Sequence, residues 1–148
     1  MSSTKQRLPD GSTQWTLDNG ATITLRKLAP GVMYFAVTGS ITEFMEECAK
    51  ALDDEIAREG RITVFANLAE ASRMAGEARD AWSAWSKKTN ASTTPYCLVR
   101  SKIMEMALSL ISMFSGASLK VFSDPQPFID AMKRAAPSVR LPEIKRVA

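Results

Sequence analysis

The stretch FANLAEASRMAG, residues 65–76, runs from an apolar, strand-like segment toward an amphipathic helix. The free N–H groups at such a helix start favour negative charge, so a serine there could present a phosphate. Ser72 is the hydroxyl nearest that junction. A second candidate is Arg100-Ser101-Lys102, between an apolar run and a Met-rich helix. Two cations beside a helix N-terminus would suit an anion such as a nucleotide phosphate or a lipid headgroup. Ser101 is equally a good N-cap, and no Gly-rich cradle accompanies it. Asp53, Asp54 and Glu55 are consecutive on a predicted helix, so they fan out around it. They read as a solvated face rather than as paired catalytic acids.

Absent residue types narrow the chemistry further. The chain has no histidine. That removes the commonest general base and metal ligand, and with them any Ser-His-Asp or Cys-His mechanism within this chain. Its two cysteines, Cys48 and Cys97, lack CxxC spacing and fall at predicted buried positions, where cysteine acts as a small apolar residue. Neither a catalytic group, a cofactor nor a metal is called for. The formal net charge of +3 is too small and too scattered to imply nucleic acid. With no secretory pattern at the N-terminus and no apolar run long enough to span a bilayer, a cytoplasmic location without stable membrane insertion is expected.

The elements that must position these residues follow from pattern. The 148 residues suit one domain, and 45% hydrophobic residues suffice for a core. Residues 1–13 read as a polar, flexible arm, 14–137 as the domain, and 138–148 as a loosely attached charged tail. QWTLDNGATITL alternates apolar and polar residues around Asn19-Gly20, a hairpin signal. A buried strand over 32–39 follows. Ser40 and Glu43 form a capping-box pattern, which predicts a helix over 41–59 with Phe44, Cys48, Leu52 and Ile56 as its apolar stripe and Gly60 as its stop. Strands are predicted at 61–68, 93–100 and 118–124. Helices are predicted at 75–88, at 101–116, and from Pro125 to about Pro137 with Asp124 as cap. A hairpin followed by β-α-β-α-β-α-β-α argues for an α/β fold with a mixed, mainly parallel sheet and about four helices.

Two helices carry more apolar surface than a core requires. On helix 101–116, Ile103, Met106, Ala107, Leu110, Ile111 and Phe114 are the expected core stripe, leaving Met104, Leu108 and Met113 as a face for a partner. A homodimer contact is the favoured use. On helix 75–88, Trp82 is assigned to the core. Trp85 is then partly exposed and, with Arg79, offers an aromatic-plus-Arg anchor for a protein.

The order of elements, with VFANL, AWSAW, CLVRSKIMEMAL and LKVFSDPQPFIDAM, resembles the SpoIIAA-like fold of stand-alone bacterial STAS/SEC14-like proteins over roughly residues 32–136. The resemblance implies a non-enzymatic interaction or regulatory domain with an unnamed protein partner. In the family's anti-sigma-factor antagonists, a strand-end Asp precedes an Asp-Ser pair at a helix start, and that serine is phosphorylated. Here Asn67 takes the strand end and Ala75-Gly76 the Asp-Ser place, so Ser72 is a weak substitute and an unswitched binding domain is implied. The alternative function is binding of a small molecule or lipid headgroup at Arg100–Lys102.

Overall fold

The computed structural model describes residues 4–144. Seven strands lie side by side in chain order: β1 (Thr4–Arg7), β2 (Thr13–Thr16), β3 (Thr22–Ala29), β4 (Val32–Ile41), β5 (Ile62–Met74), β6 (Thr93–Val99) and β7 (Lys120–Phe122). Pairing is antiparallel from β1 to β4 and parallel from β4 to β7. The helices α1 (Glu46–Glu59), α2 (Gly76–Thr89) and α3 (Lys102–Ser115) connect the parallel strands, and α4 (Pro125–Ala135) follows β7. Crossovers of one hand between strands that advance in one direction must lie on one face of the sheet.

The buried residues show this arrangement. Successive strand residues point to opposite faces. Phe35, Val64, Ala66 and Cys97 join Leu52 of α1, Trp85 of α2, and Met104 and Ile111 of α3 in one core. Tyr34, Phe65 and Leu98 face the other way and pack with Phe128 and Met132 of α4. The mixed α/β fold with an N-terminal hairpin and four helices is therefore as the sequence indicated.

Helix ends follow local chemistry. Ser101 caps α3 by accepting the Met104 N–H at 3.0 Å, and Asp124 caps α4 by accepting the Gln126 N–H at 3.1 Å. Gly60 and Gly116 close α1 and α3 at positive φ, the conformation glycine adopts without a Cβ penalty.

Four expectations need correction. Residues 4–7 of the supposed arm form β1, held by backbone pairing to β2 while every β1 side chain stays exposed. Residues 1–3 lie outside the described residues. β4 runs on to Ile41, so Ser40 is a strand residue and α1 starts at Glu46, with Met45 before it and no side-chain cap. β5 runs on to Met74 because β4 keeps pairing with it, through register shifts at Ala36/Thr38 and Gly39/Ser40. Residues 138–144 of the supposed loose tail lie on the α4 side of the sheet: Ile144 is buried there, Val139 and Leu141 pack beside it, and the Arg140 carbonyl accepts from Arg26 at 2.8 Å. The tail's remaining residues, 145–148, lie outside the described residues.

Candidate functional site

At 100° per residue a helix shows its burial phase directly. On α3 the buried residues are Met104, Ala107, Leu108, Ile111 and Ser115. Ile103, Met106, Met113 and Phe114 are 59–72% exposed, with Leu110 partly so between them. These five apolar residues occupy an arc about 100° wide on the side away from the core. The expected core stripe is thus rotated by roughly a quarter turn. Met104 and Leu108, expected at a partner face, are core residues. Met113 is on the outer face as expected, joined by Ile103, Met106 and Phe114, which were expected inside. Val121 of neighbouring β7 is also 42% exposed.

The tryptophans on α2 are corrected too. Trp85 is buried, and its indole N–H donates to Asp53 Oδ1 at 2.9 Å, tying α2 to α1. Lys88 Nζ stands 3.5 Å from the other oxygen of Asp53. Trp82 is partly buried and meets Phe35, Phe44 and Trp85 edge-on, with ring centroids 4.8–5.7 Å apart. Edge-to-face packing of this kind stabilises a core. Arg79 approaches neighbouring Asp80 at 3.8 Å. Trp85 is therefore a structural strut and not a docking anchor. Trp85→Phe removes one hydrogen bond to a charged group and should lower unfolding free energy by about 2 kcal/mol, read from urea denaturation.

The strand-to-helix junction is built without a phosphate acceptor. Ser72 lies within β5, exposed, its hydroxyl 3.0 Å from that of Ser40 on β4. It is a strand residue and not the loop residue expected. Ala75 precedes α2, donates its N–H to the Ile41 carbonyl at 2.8 Å, and provides no side-chain cap. Asn67 faces the α4 side, donating to the Tyr34 hydroxyl at 3.0 Å and accepting the Ala69 N–H at 3.1 Å. Burial pushes the Tyr34 hydroxyl above its ordinary value, although the Asn67 bond pulls it the other way.

At Arg100-Ser101-Lys102 the serine hydroxyl is committed to its capping bond, while Arg100 and Lys102 are exposed. Among the described residues no group of three or more Cys, Asp or Glu could hold a metal. Cys48 and Cys97 are buried free thiols. Burial raises both well above the ordinary range, Cys97 to about 12, which leaves neither a reactive thiolate.

The carboxylate trio splits by environment. Asp54 pairs with Lys50 on the surface, and Asp53 holds Trp85. Glu55, expected on the solvated face, is completely buried. One of its oxygens accepts the Gly31 N–H at 2.8 Å and lies 3.2 Å from Lys27 Nζ; the other accepts from Arg58. Burial alone would raise this carboxyl, but the Gly31 amide, Arg58 and Lys27 outweigh it and hold it below its ordinary value. The cluster clamps the β3–β4 turn onto α1. Its burial has no local sequence signal, because Lys27 and Gly31 are far from Glu55 along the chain.

No protein family and no curated protein matches this sequence. Solved structures do. An anti-sigma factor antagonist from Mycobacterium paratuberculosis is 15% identical, with a TM-score of 0.52 over 83% of this chain and 99% of that one. A protein of the DUF3478 family from Shewanella loihica PV-4, described as having a SpoIIAA-like fold, is 16% identical, with a TM-score of 0.47 over 76% of this chain and 93% of that one. At such identities what is shared is the fold. In its fold, with an N-terminal hairpin, central parallel strands and crossover helices, the chain is similar to the anti-sigma factor antagonist.

Proposed function

We propose that this domain is a non-enzymatic regulatory module that works by docking protein surfaces, and that the outer face of α3 is where it docks, pairing with a second copy of the chain. The observation that carries the reading is the stripe of Ile103, Met106, Met113 and Phe114, all more than half exposed on one helix side. Isolated exposed apolar residues are ordinary, but an aligned group along a whole helix marks a contact surface. Methionine suits such a surface because its flexible thioether adapts to a partner. The shared fold with an anti-sigma factor antagonist favours a regulatory role.

A single stripe is self-complementary about a two-fold axis: in an antiparallel pair the Ile103 end of one helix meets the Phe114 end of the other. A 14-residue helix is about 21 Å long, so the contact is smaller than a standard stable interface and its pairing is weak and reversible. Two buried free thiols suit a reducing compartment, so the cytoplasm is the proposed location. No described helix is long and apolar enough to cross a membrane. Anion binding at Arg100–Lys102 is the lesser reading, since the Ser101 hydroxyl already serves the helix cap.

Sedimentation over a wide concentration range tests the proposal. The unmodified chain should associate as concentration rises. Met106→Glu and Phe114→Glu should each keep it monomeric while changing unfolding free energy by no more than about 0.5 kcal/mol. An unmodified chain that stays monomeric at millimolar concentration would overturn self-pairing.

A further inference from the structure

Between the sheet and the helices α2 and α3 lies an apolar cavity of about 100 Å³. Its floor includes Val64, Ala66 and Cys97, and its walls include Trp82, Trp85 and Ile111. The space is partly open to solvent, with exposed Asn90 among its lining residues, so a small molecule can reach it. An engineered apolar cavity of about 150 Å³ stays dry and binds benzene, which places this one near the size of a single small ring.

The lining is mostly apolar, with Ser86, Thr89, Asn90 and Thr93 as its polar members. Thr93, the first residue of β6, lines the cavity, and its hydroxyl oxygen is buried without a hydrogen-bond partner among the described residues. A neighbouring hydroxyl is already satisfied: Thr89 Oγ1 donates to the Trp85 carbonyl at 2.9 Å. A buried hydroxyl left unpaired is costly and is normally paired in native structures. Among these polar groups Thr93 carries the buried, unpaired hydroxyl.

We infer that this cavity is a binding site for a compact, uncharged, single-ring or branched molecule of no more than about seven heavy atoms carrying one hydroxyl or equivalent polar group, which hydrogen-bonds to Thr93. Charged ligands are disfavoured, because no Asp, Glu, Lys or Arg lines the cavity to pair with them. Long-chain lipids exceed the space. The cavity lies on the inner side of α3, so occupancy and docking at the outer face are separable: Ile103, Met106 and Phe114 do not line it.

Phenol and benzene serve as matched probes, titrated into the full chain and followed by ligand-observed NMR. Both should bind saturably, and phenol about fivefold tighter, the ratio that one net hydrogen bond of about 1 kcal/mol gives. Thr93→Val should abolish that preference while leaving benzene binding in place. Ala66→Leu, which extends a side chain into the space, should abolish binding of both. Intermolecular NOEs from phenol to the Ile111 methyls and the Trp82 indole, measured on the unmodified chain, locate the probe without depending on either variant. Absence of saturable binding, equal affinity for the two probes, or NOEs confined to other residues would each overturn the inference.

Discussion

Met104→Glu should unfold the domain under conditions in which Met106→Glu leaves it intact. The two residues lie two apart on one helix, and both are methionines in a Met-rich run. Met104 is fully buried with Leu108 and Ile111 against the sheet, whereas Met106 is 66% exposed. A carboxylate at position 104 would lose the buried methionine contacts and either bury a charge or take up a proton to avoid doing so. Together these cost about 4–6 kcal/mol, comparable with the whole stability of a domain this size. Circular dichroism and urea titration of the two variants read the difference directly. Equal midpoints would show that α3 is packed on a different face, and the docking surface would move with it.

The second large effect is at Glu55. Replacing it by alanine removes the acceptor for the Gly31 amide and leaves Lys27 and Arg58 without their shared carboxylate. The expected loss is about 3 kcal/mol, at the low end for breaking a buried ion pair because both cations are about half exposed and can be hydrated. The pH dependence follows from the direction of the shift. The folded-state carboxyl is held below its ordinary value of 4.5, so its stabilising contribution is fully present above that value and is lost as pH falls through the lower, folded-state value. Glu55→Gln cannot titrate. The stability difference between the unmodified chain and this variant should be constant near neutrality and shrink below about pH 4. A difference that stays constant down to pH 2 would show that Glu55 is not held as a carboxylate in this cluster.

These two residues also show what a sequence can and cannot reveal. Local chemistry marked several element ends correctly, although the Ser40 and Glu43 capping-box pattern marked no helix start. Asn19-Gly20 marks the β2–β3 turn, where Asn19 accepts the Ala21 N–H at 3.0 Å and Gly20 has φ of 88°. Ser101 and Asp124 mark helix starts, and Gly60 and Gly116 mark helix ends. Periodicity also worked for α1, where Cys48 and Leu52 are buried as the stripe predicts. It failed for α3 because that helix is apolar on both its inner and outer sides. A stripe drawn through such a sequence bisects the two faces, and only the neighbouring sheet and α2 fix the rotation.

Long-range pairing was the other source of error. The second half of β5, with Ser72 in it, is a strand because β4 lies beside it, and ASRM by itself carries no such preference. Likewise β1 is polar and exposed, so nothing in its side chains announces a strand; its backbone groups pair with β2. Glu55 is buried because a turn 24 residues earlier in the chain supplies an amide and, with Lys27, a cation. The absence of a phosphate acceptor at the β5–α2 junction, by contrast, was readable directly, since neither Ala75 nor Gly76 has a hydroxyl.

The claim that the outer face of α3 is a docking surface is tested most directly by a dilution series of amide and methionine-methyl NMR spectra. Self-pairing through this face predicts concentration-dependent shifts centred on Ile103, Met106, Leu110, Met113 and Phe114, extending to Val121, with Met104 and the β1 edge unchanged. Spectra that do not change with concentration, or changes centred on β1, would contradict it.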